Sequence, residues 1–205
     1  MSADPQPGAE AIPEEEQARA GMYAVLGRLF YAAPDDSLLA ELRPTASNAT
    51  SGVEDDVTRA WRRLVEAAAG AQAAAVQDEF QALFGGVGRA LVTPYTSHYV
   101  ISTAPDKHIV ALREALAEHR LTRREMVFEV EDHIAAICDV MRLLIERNQS
   151  LDVQKAFFSQ FVLPGAMPLC DAIDRIERAV FYRDVAALAR VFLELERAAF
   201  DMVES

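Results

Sequence analysis

Residues 26–42 read LGRLFYAAPDDSLLAEL and contain the pattern that decides the fold, which is a helix, a stop and a second helix. Apolar side chains recur at helical spacing in the first part. Pro34 ends that helix, because proline disfavours helical backbone at the residue before it. Asp35 or Asp36 can then accept backbone N–H bonds as the cap of a short helix that runs to Leu42. The stretch therefore predicts two consecutive helices joined by a tight turn.

The same pattern, followed outward, predicts helices along most of the chain. The predicted ranges are residues 13–32, 35–42, 53–69, 71–84, 106–120, 122–148, 152–163, 167–180 and 183–203. A break is expected near Val127, and Pro164 with Gly165 separates two of the helices. Residues 1–12 are predicted to be a disordered leader. Over residues 13–205 we predict an all-α fold, a single globular helical bundle of about nine or ten helices.

Residues 85–105, GGVGRALVTPYTSHYVISTAP, differ from the predicted helices. They contain three glycines, two prolines and β-branched residues without sustained helical periodicity, and only residues 91–101 suggest a strand. A linker of this length is uncommon inside a compact domain and is often functional. It is equally compatible with a surface crossover between two helical layers, so both interpretations stay open.

The chain is strongly acidic, with 20 Lys and Arg against 32 Asp and Glu and a net charge of −12. Such a surface repels nucleic acid and attracts basic partners. The N-terminal residues lack the apolar core of a signal peptide, and no apolar run approaches the roughly 18 residues of a membrane span. Cys138 and Cys170, without a C-x-x-C pattern, favour a reducing compartment. We therefore expect a cytoplasmic protein without nucleic acid or stable membrane insertion.

A cluster of carboxylates and a histidine stands in FEVEDHIAAIC, at the start of an apolar helix. Glu129, Asp132 and His133 are spaced i, i+3, i+4, and Glu125 lies one turn earlier, so a helix would place them on one face. Carboxylates on such a face can hold guanidinium groups in bidentate fashion. A histidine beside them can orient a carboxylate or respond to pH. The spacing thus favours a receptor surface for arginines.

Simpler explanations of this cluster stay open. Glu131 or Asp132 can cap the helix and suit its dipole, and charge on a helix face is often solvent-exposed. As a metal site the cluster is incomplete, because Glu129 and His133 supply only two ligands. The paired Glu-x-x-His spacing of di-iron bundles is absent from the sequence. We expect no metal site.

Catalytic signatures are equally sparse. There is no G-x-S-x-G, and the glycines of residues 85–88 lack the Lys-Ser/Thr of a phosphate loop. Cys138 lies on an apolar helix face and is expected to be buried and inert. The alternative that stays open is a helical nucleotide-binding or hydrolytic enzyme that uses the acidic cluster.

Four stretches, in order, resemble the TorD/DmsD/NarJ-like family of cytoplasmic molybdoenzyme chaperones, also called redox enzyme maturation proteins. They are LGRLFYAAPDDSLLAEL at 26–42, FQALFGGVGRALVTPYTSHYV at 80–100, FEVEDHI at 128–134 and QKAFFSQFVLPGAMPLCDAI at 154–173. The likeness covers residues 17–200. Val130 stands where the family pattern has proline, and Gly165 where it has tryptophan.

The resemblance implies an all-helical chaperone without catalytic turnover or a cofactor of its own, which meets molybdopterin only through its client. The implied partners are the precursor of a molybdoenzyme catalytic subunit, its twin-arginine signal peptide, and proteins that insert the cofactor. The implied signal-binding residues are Glu129, Asp132, His133, Pro94, Tyr95, Ser97 and Tyr99, and the spacing on the helix face adds Glu125 to this predicted site. Whether the chain is a monomer or a homodimer stays open.

Overall fold

A computed structural model describes residues 12–42, 55–85, 90–100, 105–119, 121 and 131–202. Within these ranges there are eight helices. They are α1 (Glu14–Tyr31), α2 (Asp36–Glu41), α3 (Asp56–Gly70), α4 (Ala73–Leu83), α5 (Pro105–Glu118), α6 (Ile134–Glu146), α7 (Leu151–Asp174) and α8 (Phe181–Met202). The described residues contain no strand, only one isolated antiparallel bridge. The all-α prediction is confirmed, with slightly fewer helices than expected.

Local capping explains where several helices begin. Asp35 accepts a hydrogen bond from the N–H of Leu38 at 2.8 Å at the start of α2, and Asp55 does the same for Thr58 at the start of α3. These side chains satisfy N–H groups that have no partner within the helix. Because such signals are local, the predicted bounds of α1 and α2 agree with the structure within a residue or two.

The core is built around α6, which is buried along most of its length and packs along α1. Helix α8 runs antiparallel to α1, since Tyr23 packs edge-on against Phe192 at 4.9 Å and the hydroxyl of Tyr182 donates to the carbonyl of Leu29 at 3.0 Å. Helices α3 and α7 cover two further sides of α8. The start of α6 is thereby fixed against the rest of the molecule.

Helix α7 corrects the predicted division at Pro164 and Gly165. The helix is α-helical over Leu151–Phe157, passes through a π-helical turn over Phe158–Val162, and continues as α-helix over Leu163–Asp174. The backbone stays helical through both residues, because Gly165 and Ala166 are buried against other elements and packing outweighs local preference. Two predicted helices are therefore one, which lowers the helix count.

This continuity also corrects the expectation about apolar runs. At 24 residues and a mean hydropathy of 1.3, α7 is long and apolar enough to cross a membrane. Half of its most apolar window is buried inside the fold. A core helix of a soluble protein meets the same criterion, so length and composition here are weak evidence for a span.

Candidate functional site

The segments PYTSHY and EDHI, more than thirty residues apart in sequence, lie side by side. The N–H of Thr96 donates to the carbonyl of Asp132 at 2.8 Å, and the N–H of Ile134 donates to the carbonyl of Pro94 at 2.9 Å. Between these bonds, Tyr95 and His133 form the antiparallel bridge. We call residues 94–99 and 131–134 the seam. It brings together six of the seven residues that the resemblance assigned to binding.

Asp132 is the buried acid of the seam, with only 8% of its surface exposed. Its Oδ2 accepts a hydrogen bond from the hydroxyl of Ser97 at 2.5 Å, and its carbonyl accepts a second one from the hydroxyl of Thr96 at 3.1 Å. Among the described residues no cation pairs with this carboxylate. Asp132 therefore carries a buried charge supported by a neutral hydroxyl.

His133 is the N-cap of α6, which corrects the sequence-based choice of Asp132 or Glu131. Its Nδ1 accepts a hydrogen bond from the N–H of Ala135 at 3.1 Å. Burial lowers the pKa of His133, and the nearby Asp132 opposes that effect. Because α6 begins only at Ile134, Asp132 and His133 precede the helix and do not share a helix face.

The remaining acids of the cluster divide into two groups. Glu131 is largely buried and lies 3.6 Å from the guanidinium of the exposed Arg113. Glu125, Glu129 and Val130 lie outside the described residues, so their place in the site stays a prediction. The described part of the seam thus offers one carboxylate already beside an arginine and one without a cation.

Aromatic rings line the outer side of the seam. Tyr95 is 38% exposed, and its ring meets the ring of His133 edge-on at 5.4 Å. His98 is exposed and packs edge-on against Tyr99 at 4.9 Å. Tyr99 is half-buried, and burial raises the pKa of its hydroxyl. Tyr95 and His98 are accordingly the rings most accessible to a ligand.

His108 is a residue of this region that the sequence did not single out. Its ring packs on Phe161 at 5.5 Å, and its Nε2 is buried without a hydrogen-bond partner in the described part of the chain. Burial lowers the pKa of His108, while the charge of Asp132 opposes the shift. No local pattern marks this histidine, because only the packing of α5 brings it near Asp132.

Gly165 lies directly beneath the seam. A Cβ at this position would overlap the Cβ of Thr96, and would lie 2.7 Å from its Cγ2 and 2.9 Å from its Cα. Helix α7 therefore approaches residues 94–99 as closely as glycine permits. The sequence showed Gly165 only as a helix breaker beside Pro164 and as a departure from the family pattern.

The other chemistry considered from the sequence gains no support. In the described ranges no three His, Cys, Asp or Glu side chains are grouped as metal ligands. Cys138 and Cys170 are buried, and burial raises the pKa of each thiol to about 12, which keeps both protonated and inert. Most of the glycine-rich turn, residues 86–88, lies outside the described residues.

Two cavities lie away from the seam. One, of about 440 Å³, separates α1 from α3 and has Met22, Val57 and Trp61 in its lining. Another, of about 380 Å³, is lined by α1 and α6 and includes Tyr31 and Arg142. Neither is lined by a residue of the seam.

The comparison with known families fits this arrangement. The model of the nitrate reductase delta subunit family matches residues 51–171, which is more than half of the chain and includes the whole seam. No curated protein matches the chain. The family is one of cytoplasmic chaperones rather than enzymes, and its members act with molybdoenzyme catalytic subunits. The chain therefore belongs to the nitrate reductase delta subunit family, a family of molybdoenzyme maturation chaperones.

Proposed function

We propose that this protein is a system-specific chaperone of the cytoplasm. It binds the N-terminal twin-arginine signal and the apo form of a molybdopterin-containing oxidoreductase subunit. By holding the precursor it assists cofactor insertion and prevents premature export. It performs no catalysis and binds no cofactor of its own, and proteins that insert the cofactor are its further partners.

One observation carries this proposal, which is the pairing of the two seam segments through the backbones of Pro94, Thr96, Asp132 and Ile134. The pairing brings a buried acid, a capping histidine and an exposed tyrosine close together. These are the groups that a cationic, partly apolar peptide requires. Among the described residues nothing comparable favours the alternative of a nucleotide-binding or hydrolytic enzyme.

Recognition of arginine follows from the chemistry of these groups. Oδ2 of Asp132 is taken by Ser97, while Oδ1 has no donor among the described residues. A guanidinium can donate to that oxygen in a charge-assisted hydrogen bond. Its flat face can stack on the exposed ring of Tyr95, as guanidinium groups do on aromatic rings. Glu125 and Glu129 are proposed to add acidic contacts.

Charge alone does not hold such a peptide. A leader that orders on binding loses roughly 2–5 kcal/mol, and exposed ion pairs return only about 0–1 kcal/mol each. Burial of apolar surface, at about 25 cal/mol per Å², must supply much of the affinity. Tyr95 and the half-buried Tyr99 are the described side chains best placed to provide it. We expect a dissociation constant near micromolar, or about −8 kcal/mol.

The test is calorimetric titration of the full chain with a twin-arginine leader peptide and with its twin-lysine counterpart. The arginine peptide is expected to bind at least tenfold more tightly, because lysine lacks the planar fork. Tyr95→Ala should weaken binding of the arginine peptide. Tyr31→Ala, which removes another exposed tyrosine that is not part of the seam, is the matched control. Equal binding of both peptides, or equal effects of both variants, would contradict the proposed site.

A further inference from the structure

Thr96 is held from two sides at the centre of the seam. Only 1% of its surface is exposed. On one side its N–H and its hydroxyl both donate to the carbonyl of Asp132, at 2.8 and 3.1 Å. On the other side its Cβ, Cγ2 and Cα face Gly165 of α7. The side chain and backbone of Thr96 therefore fill the space between Asp132 and helix α7.

Glycine inside a helix needs a reason, because alanine is the better helix former and restricts the unfolded chain more. Gly21 and Gly70 also lie in helices, and a Cβ added to either would meet no atom within 4 Å. At Gly165 the same Cβ would collide with Thr96. The collision involves backbone as well as side chain, so it cannot be relieved by a rotation of the threonine alone.

We infer that Gly165 is a positioning residue for the seam. It lets residues 94–99 settle onto α7 at the depth where Thr96 reaches the carbonyl of Asp132. Because Tyr95 and Ser97 adjoin Thr96 in the chain, the contact between Thr96 and Gly165 also determines their positions. A larger residue at position 165 lifts the segment, lengthens the bonds to Asp132 and moves the ring of Tyr95 from His133. The inference rests on the proposed function only for its effect on peptide binding.

The experiment compares Gly165→Ala with the unchanged chain in two measurements. Hydrogen exchange by NMR follows the backbone N–H groups of Thr96 and Ile134, which donate the two hydrogen bonds across the seam. This measurement is made without the peptide. Calorimetry follows the twin-arginine leader peptide. We expect at least tenfold faster exchange at Thr96 and at least tenfold weaker peptide binding, with helical circular dichroism unchanged. Gly70→Ala is the matched control and should alter neither quantity.

A double variant, in which one residue is enlarged and the residue it meets is reduced, distinguishes a positioning role of Gly165 from a general loss of structure. Thr96→Gly in the Gly165→Ala background removes the two side-chain atoms that the new Cβ meets. It is expected to recover about threefold of the lost affinity and to slow exchange at Ile134. If Gly165→Ala alone loses its helical signal, recovery of both fold and binding in the double variant supports the inference. Absence of recovery overturns it.

The two measurements also distinguish this inference from the proposed function. If the unchanged chain binds neither peptide, the proposed function fails, and amide exchange still decides the role of Gly165. If the unchanged chain binds the peptide and Gly165→Ala leaves both binding and exchange as they were, the positioning role is overturned while the proposed function stands.

Discussion

The molecule buries two carboxylates in opposite ways. Glu196 of α8 is 3% exposed and fully compensated. Its oxygens accept hydrogen bonds from Nε and Nη2 of Arg19 at 2.7 and 2.8 Å and from the hydroxyl of Tyr23 at 3.0 Å. Asp132 of the seam is almost as buried, yet its described partner is the hydroxyl of Ser97. One acid is saturated with donors, and the other retains the capacity to accept more.

The difference indicates separate roles. A buried carboxylate that lacks its partners is costly, so the donors around Glu196 are what make its burial tolerable. They join α1 to α8 within the core and leave nothing for a ligand. The lone hydroxyl at Asp132 leaves the negative charge without a cation in the described part of the chain, which a cationic partner can supply. Glu196 therefore serves the fold, and Asp132 suits a binding site.

The largest effect is expected at Glu196. Glu196→Gln should lower the free energy of unfolding by about 3 kcal/mol, because it leaves the guanidinium of Arg19 largely buried beside a neutral group. Arg19 retains Glu16, at 2.7 Å, which keeps the loss at the lower end of the range for broken buried pairs. Urea denaturation followed by circular dichroism measures the change. Binding of the leader peptide by the folded variant should be unaffected.

The matched control is the pair of Arg28 and Glu41, which is more than half exposed on both sides. Glu41→Gln should cost less than about 1 kcal/mol, as surface pairs do. Equal losses in Glu196→Gln and Glu41→Gln would show that burial does not distinguish the two pairs. The interpretation of Glu196 as a structural acid would then be wrong.

At Asp132 the expectation is reversed. Asp132→Asn keeps an acceptor for the Ser97 hydroxyl and removes the charge, so the free energy of unfolding should change by less than about 1 kcal/mol. Affinity for the twin-arginine peptide should fall about tenfold, or about 1.4 kcal/mol. Calorimetry measures the second quantity and urea denaturation the first. Asp78→Asn, at an exposed aspartate of α4, controls for the change in net charge.

Asp132→Asn discriminates between the two roles that the sequence left open for the acidic cluster. A loss of stability with unchanged peptide affinity would make Asp132 a structural acid like Glu196. The assignment of Glu196 to the fold and of Asp132 to binding would then be wrong.

The helices were predictable wherever residues close to their ends, such as a capping side chain or a proline, determine where they begin and end. Asp35 and Pro34 define the junction of α1 and α2 within a few residues, so periodicity and capping sufficed there. Helix α7 was mispredicted because Pro164 and Gly165 are local helix breakers, and their helical conformation depends on packing against Thr96 and the core. Propensity is a weak guide where tertiary contacts decide.

The seam was only partly predictable. The residue types in PYTSHY and EDHI pointed to binding through resemblance, since no periodicity links two segments so far apart. The spacing argument for Asp132 and His133 assumed a helix that begins later, at Ile134. The burial of Nε2 of His108 and the contact of Gly165 arise from packing between helices, which a single sequence does not encode locally.

The smallest predicted effect is a dependence of stability on pH that arises at the cap of α6. The hydrogen bond from Ala135 to Nδ1 of His133 requires that this nitrogen carry no proton. Burial holds the pKa of His133 below the value of about 6.5 found in unfolded chains. Below pH 6.5 the unfolded chain therefore binds more protons than the folded one. Stability should be complete above that pH and should fall as the pH drops towards the folded pKa.

His133→Ser separates the cap from the titration, because serine accepts the same backbone N–H and does not ionise near this pH. The free energy of unfolding of this variant, measured in urea at pH 7 and pH 5, should fall less on acidification than that of the unchanged chain. A residual slope should persist, since burial lowers the pKa of His108 as well. His98→Ser, which removes an exposed imidazole of the seam, is the matched control. If His133→Ser retains the full slope, the acid sensitivity lies elsewhere, and His133 serves the seam through its contact with Tyr95 rather than through its proton.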